Sequence, residues 1–363
     1  MDRPPAVERG TFHAYFVFDV ADTIALADFT AAPTAEGVAR APLQLRREAS
    51  SDFIEFPEPP VVVSLAPPPG FSMRAKVFDY GVVSIRLSRR LAPAPWDDFA
   101  AEIRRLRGDD ELAAIARRAL DELLVANGRS LDDPHEPLLE DYFVFHVESF
   151  ATPVTGPDLL ETYGAALASL VLCEERRVTV TECTETLRVN FAYFDDDLAV
   201  VQWDTAFVFD RRDGAANTLD ILEFANTQLA ELRTYDARLD AELDTIYALD
   251  AKRPTRRFGR KQAQDAADRL RYLIVDIAEL TDRASNALKI IGDAYYARLY
   301  RGVTGRLGLR DWQNQIDAKV ETVNEMYRFF TDQAQVSRSE FLEVVVILLI
   351  AIEIVVGVLA LRP

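Results

Sequence analysis

The sequence predicts an α+β fold: an N-terminal mixed α/β region with antiparallel hairpins, then a long helical, coiled-coil-like stalk, then one C-terminal transmembrane helix. Three observations carry that expectation. Short aromatic and β-branched runs, bounded by turn residues, alternate with Ala-, Leu- and Glu-rich stretches over residues 1–215. From Leu222 onward, apolar positions recur at spacings of three and four with no strand between them. Finally, Val344 to Leu361 is an apolar run of eighteen residues whose single charge is Glu353. The domain boundaries follow as 1–215 for the α+β region, 216–340 for the stalk and 341–363 for the anchor.

The elements of the first region follow in order. Phe12 to Val20, FHAYFVFDV, reads as a strand, as do Val61 to Ala66, Met73 to Phe78 and Val82 to Leu87. The last two are joined at a turn containing Asp79, Tyr80 and Gly81, which makes them a hairpin. Trp96 to Ala126 reads as one or two helices broken near Gly108. Tyr142 to Phe150 is a strand again, and Pro157 starts a helix over Asp158 to Glu174. Arg188 to Phe194, Leu198 to Trp203 and Ala206 to Phe209 form a short meander around the acidic turn Asp195, Asp196 and Asp197.

The stalk is read as three helices. A seam through Leu222, Ala225, Leu229, Leu232, Asp236, Leu239, Leu243 and Ile246 carries one polar position, Asp236. A second seam runs from Leu270 to Ile291, and a third, capped by Asp311, starts at Ile316 and keeps its phase into the apolar tail. Gly302, Gly305 and Gly308 read as loop punctuation between helices two and three. The loop between helices one and two holds Lys252, Arg253, Arg256, Arg257, Arg260 and Lys261, six cations within ten residues. Antiparallel packing would bring this tip level with the bilayer, so it is either a solvated hinge or a contact for lipid headgroups or another anion.

The tail spans about 27 Å at 1.5 Å per residue, enough to cross a hydrocarbon core. Val344, Ile350, Glu353 and Leu361 mark the expected span. Glu353 near its middle has three readings: a protonated carboxyl, an interhelical hydrogen bond in an oligomer, or part of an ion path. Only Arg362 and Pro363 follow the run, so it would insert as a tail anchor with the bulk in the cytosol. Pro4, Pro5 and Glu8 stand where a secretory signal would need apolar residues.

Lys and Arg number 41 against 59 Asp and Glu, a formal net charge of −18, which disfavours nucleic acid as a partner. Cys173 and Cys183 lie apart from any paired histidines and read as ordinary thiols. His13, His135 and His146 share no ligand spacing, and the three adjacent aspartates lack the glycine and distant glutamate of a calcium loop. No nucleophile elbow, Walker motif or dinucleotide fingerprint occurs, so no catalytic residue, cofactor site or metal site is assigned.

The hairpin Val77 to Ile85, the stretch with Leu160-Glu161 and Ala165 to Ser169, and the end SRSEFLEVVVILLIAIEIVV together resemble the required-for-meiotic-nuclear-division family, in a bacterial branch. Arg338, Leu342-Glu343 and Glu353, with Asp311-Trp312 and Lys319, carry most of the likeness. The resemblance implies a membrane-anchored, self-associating protein and adds no activity. Val178 to Asp220 departs from the family pattern.

The expected function is therefore a tail-anchored, homo-oligomeric scaffold that positions a cytosolic protein partner at the lipid bilayer of the inner membrane, without catalysis. The alternative is a ligand-sensing or enzymatic α+β domain coupled to the membrane through the stalk.

Overall fold

In the computed structural model, residues 2–29, 59–210, 212–251 and 294–322, with positions 275 and 325, are described. The chain divides into two compact units, residues 1–234 with 279–313 and residues 235–278 with 314–363.

The first unit is built on one long strand. β1 (Val7–Ile24) is flanked by β4 (Val82–Leu91) and β5 (Leu131–Phe150), both antiparallel to it. With β2 (Val61–Leu65), β3 (Ser72–Val77), β6 (Asn190–Phe191), β7 (Leu198–Val201) and β8 (Thr205–Phe209) they form a sheet of order β2-β3-β4-β1-β5-β8-β7-β6. Every pairing is antiparallel except β5 with β8, so the sheet is mixed.

One face of the sheet is apolar. Phe12, Ala14, Phe16 and Phe18 of β1 join Ile85 and Leu87 of β4 and Phe143 and Phe145 of β5 in a single core. The alternation of strand side chains sends them to one side. α1 (Trp96–Arg107) and α2 (Asp110–Asn127) cover that side with Phe99, Ile103, Leu106, Leu112, Ala116, Leu120 and Leu123. α3 (Gly156–Glu161) and α4 (Gly164–Val171) add Leu159, Leu167 and Leu170. Burying a side chain of this size contributes about 1.5 to 3 kcal/mol.

Several local signals decide these boundaries. Gly108 interrupts the α1–α2 stretch, and the Asp109 side chain accepts from the Glu111 amide to start α2. The stretch read as one helix from Asp158 is two. Thr155 and Asp158 form a capping box for α3, and the Thr162 and Tyr163 amides both turn back onto the Asp158 carbonyl. α5 (Val180–Leu187), begun by Thr179, precedes a meander whose first strand is only two residues long.

α6 (Arg212–Ala251) is 40 residues long, about 60 Å at 1.5 Å per residue. The seam residues Leu222, Ala225, Leu229, Leu232 and Leu239 are all buried. Between Ile221 and Thr234, however, every polar residue except the half-buried Arg233 is buried as well, so this half is a core helix of the first unit and not an exposed stalk. Gly302 and Gly305 are not loop residues either: they lie inside α7 (Ala294–Arg306). A β-carbon at Gly302 would meet Phe191 Cζ at 2.1 Å, so close packing explains that glycine. The break falls at Gly308, φ +67°, and the next helix, residues 309–322, has already begun at Asp311. In the second unit, Leu239, Leu243 and Ile316 are buried, and Lys319 Nζ reaches Asp236 at 2.6 Å and Asp240 at 2.7 Å. The lone polar seam position thus has a cationic partner.

The expected transmembrane architecture is corrected. Among the described residues no helix is long and apolar enough to cross a membrane. α6 has the length, but Asp220, Glu223, Glu231, Arg233, Asp236, Arg238 and Asp240 are spread along it, and charges are costly in hydrocarbon. The membrane character and the inner-membrane localisation fall with it. Val344, Ile350, Glu353 and Leu361 lie outside the described residues, as does the second seam except position 275.

The β3–β4 turn offers a test of backbone strain. Gly81 has φ +86°, and a β-carbon there would sit 1.6 Å from the Ala21 carbonyl oxygen, whereas Gly70, φ +81°, has open space around it. Gly81→Ala is expected to cost at least about 3 kcal/mol, and Gly70→Ala about 1 kcal/mol from conformation alone. Urea unfolding midpoints measure both; equal costs would contradict the close approach.

Candidate functional site

The second face of the sheet carries charge. Alternation puts His13, Tyr15 and Val17 of β1 opposite to the apolar face. Register brings Arg86 of β4 and Tyr142 of β5 beside Tyr15, Ser88 beside His13, Ser84 beside Val17, and Lys76 of β3 beside Ser84. The first half of α6 lies over these residues. Lys76 Nζ donates to Glu223 Oε2 at 2.7 Å and to Asp220 Oδ1 at 3.0 Å.

Around that triad the layer continues. Arg86 Nη1 donates to the Tyr15 hydroxyl at 3.3 Å, and its guanidinium lies 5.7 Å from the Tyr15 ring. Thr227 donates to the Phe224 carbonyl at 2.7 Å, so the Tyr80 hydroxyl donates to Thr227 Oγ1 at 2.9 Å. Glu140 of β5 pairs with Arg233, whose guanidinium lies 6.0 Å from the Trp312 ring. Tyr300 of α7 donates to Gln228 and stacks on Phe224 with 5.8 Å between centroids.

Electrostatics follow from this burial. Desolvation opposes the Lys76 ammonium, but Glu223 and then Asp220 outweigh it and hold its pKa above the usual lysine value. Burial also opposes the Arg86 charge, which Tyr15 and Glu223 restore. Burial pushes the Tyr15 phenol up to about 12. Glu223 is 3% exposed and lies against Lys76, so the pair is buried together.

Two of the three histidines, His13 and His146, sit on the same face, whereas His135 lies beside Asp19, Nε2 to Oδ1 3.3 Å. His13 Nδ1 shares a 2.8 Å hydrogen bond with Ser88 Oγ, and His146 Nε2 bonds the Asp210 carbonyl at 2.9 Å, which makes it the protonated nitrogen. The two rings stack at 6.1 Å. Burial, then Arg86 and His146, lower the His13 pKa well below its usual value.

What this arrangement does chemically is limited by spacing. Ser84 Oγ and His13 Nε2 are buried without a protein hydrogen-bond partner. Ser84 pairs with Val17, four positions along β1 from His13, a separation of roughly 13 Å. They therefore do not form a nucleophile–base couple. Among the described residues, no group of three His, Cys, Asp or Glu is placed to hold a metal ion. A surface cleft beside Asp28 and Val125 to Ser130, at the end of α2, is lined mainly by turn residues. The Asp195–Asp197 turn is internally bonded, with the Asp197 carboxylate accepting from the Tyr193 and Phe194 amides at 2.7 and 3.0 Å. Arg253, Arg256, Arg257, Arg260 and Lys261, candidates for lipid or anion contact, lie outside the described residues.

The charged layer is what the sequence did not disclose. Met73, Ala75 and Val77 alternate with Arg74 and Lys76, the pattern of a strand with one solvated face. The helix that covers that face lies 147 residues further along, at Glu223.

A family described as Uncharacterized protein MJ0711, N-terminal domain, matches residues 9–216, more than half of the chain. The uncharacterized protein MJ0711 of Methanocaldococcus jannaschii is 21% identical over 222 residues, 61% of this chain and 67% of that protein. No solved structure matches. The expected likeness to the required-for-meiotic-nuclear-division family is corrected, since neither match points to it. That likeness rested largely on residues 265–357, where an apolar run with flanking charges is weak as a signature, whereas the match lies on the sheet.

Removing the cation of the triad tests its role. Lys76→Met is expected to cost about 3 to 5 kcal/mol, because Glu223 and Asp220 are left facing an apolar group, and adding Glu223→Leu to recover part of that loss. Denaturant unfolding of the two variants decides; a double variant no better than the single contradicts the pairing. A pH dependence follows from His13. Its native pKa is depressed, so the unfolded chain binds the extra proton first, and stability is lost as pH falls below about 6.5 at up to about 1.4 kcal/mol per unit. Unfolding midpoints at pH 7.5 and 5.5 are expected to differ less in His13→Gln than in the parent chain.

Proposed function

We propose that this chain, which belongs to the family described as Uncharacterized protein MJ0711, N-terminal domain, is a non-catalytic adaptor whose α+β body grips a long helix and presents it to a protein partner. The observation that supports the reading is the use made of the sheet's charged face. Lys76 is engaged by Asp220 and Glu223 of α6, and Glu140 by Arg233 of the same helix. Groups of this kind, converging in a catalytic site, would be held for a substrate; here they are spent on a helix.

α6 supplies the reach. Its first 23 residues belong to the first unit and its last 17 to the second, so one continuous element belongs to both. Self-association of the chain and a second, unidentified protein are the partners this reading calls for.

A ligand-sensing or enzymatic body is the competing reading, and Ser84 Oγ and His13 Nε2 favour it, because buried polar atoms without partners are what a small polar molecule would satisfy. Cross-linking mass spectrometry on the full chain purified with its native neighbours separates the two. The adaptor reading expects partner links along α6, retained in a Ser84→Ala/His13→Gln variant. Loss of the partner in that variant, with the unfolding midpoint within about 1 kcal/mol of the parent's, would favour the ligand reading instead.

A further inference from the structure

Unpaired strand edges are the places where a sheet can accept another chain, and this sheet guards most of its own. Beyond Asp19, β1 is covered by the β3–β4 turn, with the Val20 amide bonded to the Gly81 carbonyl and the Ile24 amide to the Asp79 carbonyl. The half of β5 that β8 does not reach carries Pro134 and Pro137 among Asp132, Asp133 and Glu136, residues that resist strand addition. At one end of the sheet, β6 is only two residues long.

β2, at the other end, has none of these devices within it. Its five residues, Val61–Leu65, hold no charge and no proline and pair with β3 without a bulge. Among the described residues no strand lies on its outer side. Every second residue of an edge strand turns its N–H and C=O outward, so β2 has such groups to offer. Val61 and Val63 are buried in the core, whereas Val62 and Ser64, on the same face as Lys76, are half-buried and exposed.

The flanks limit what can pair with this edge. Pro59 and Pro60 precede the strand and Pro67, Pro68 and Pro69 follow Ala66, none of them with an amide hydrogen. A long foreign strand therefore gains nothing beyond these few residues, and a strand of equal length fits best. A second copy of β2 is such a strand. Laid antiparallel about a two-fold axis at Val63, Val61 meets Leu65 of the copy, Val62 meets Ser64, and Val63 meets Val63. The apolar stripe continues, no charge faces a like charge, and Pro59 falls level with Pro67, so both strands end together. Closure also selects the copy over a foreign segment: an added peptide carries a new open edge outward, whereas two copies consume both edges.

We propose that β2 is a self-association edge through which two copies of this chain join their sheets antiparallel, with Val63 on the two-fold axis. This goes beyond the adaptor reading: it gives the self-association which that reading calls for a surface, and it stands on the edges of the sheet alone. The interface is small, so the dimer is reversible and depends on concentration.

Sedimentation velocity of the full chain from roughly 1 to 100 μM tests the proposal, and the parent is expected to pass from monomer to dimer in this range. Val62→Glu/Ser64→Glu places carboxylates opposite one another across the axis, while within one chain they face Lys76 and Arg74, their neighbours on β3. It is expected to weaken the dimer about tenfold and to keep the parent's unfolding midpoint at low concentration. Val62→Glu/Ser64→Lys places opposite charges across the axis and is expected to dimerise within about threefold of the parent. A parent that stays monomeric throughout the range overturns the proposal and leaves the edge to a foreign strand. Association that the Glu pair does not weaken overturns it by placing the contact elsewhere, and equal weakening by both variants overturns the two-fold pairing. None of these results touches the links to a second protein expected along α6, so failure here and failure of the adaptor reading are distinguishable.

Discussion

The ammonium of Lys76 is the point on which the polar half of the first unit depends. It reaches both Asp220 and Glu223, and through them it ties strand β3 to α6. An apolar stripe alone would not set the register of a long helix over a sheet, because sliding by a turn exchanges one leucine for another at little cost. Two carboxylates three residues apart on one helical face, held by a single lysine, make that slip costly, because it would strand buried charge. The Tyr80–Thr227 bond and the Arg233–Glu140 pair repeat the constraint one and three turns further along α6.

The two faces of the sheet divide the work between them. Phe12, Phe16, Ile85, Phe143 and Phe145, packed against α1 and α2, supply the non-directional stability of burial. The opposite face supplies direction, because hydrogen bonds and ion pairs are satisfied in only one placement of α6 and α7. Tyr300 illustrates the point: its ring stacks on Phe224 while its hydroxyl reaches Gln228, so α7 is fixed by packing and polarity together. A sheet face committed in this way to holding a helix is what makes an adaptor a more economical reading than an enzyme.

The sequence disclosed the elements that announce themselves locally. FHAYFVFDV reads as a strand because aromatic and β-branched residues fit a pleated surface, and Gly108 marks the break between α1 and α2. It concealed the first half of β5, whose LDDPHEPLLED is rich in aspartate and proline. That half pairs with β1, through Thr23 with Asp132 and Ala21 with Pro134, while β8 pairs only with Phe143 to Val147. Proline is tolerated where one strand edge is unpaired, so composition misled. Gly302 misled in the opposite sense, since its reason is the ring of Phe191 and not a turn. The candidate site was the least legible part. Lys76 and Glu223 each look like solvated residues of an amphipathic element, and only the tertiary arrangement, 147 residues of separation closed to 2.7 Å, shows that each is the other's partner.

Hydrogen exchange of individual amides bears most directly on the claim that the Lys76 triad holds α6 to the sheet. In the parent chain, amides from Asp220 to Thr234 are expected to exchange with the same opening free energy as those of Phe12 to Phe18 in β1, because helix and sheet open together. In Lys76→Met, the α6 amides should lose protection first while β1, still sealed by α1 and α2, keeps most of its own. Unchanged protection of α6 in that variant, or an equal loss in both elements, would contradict the account.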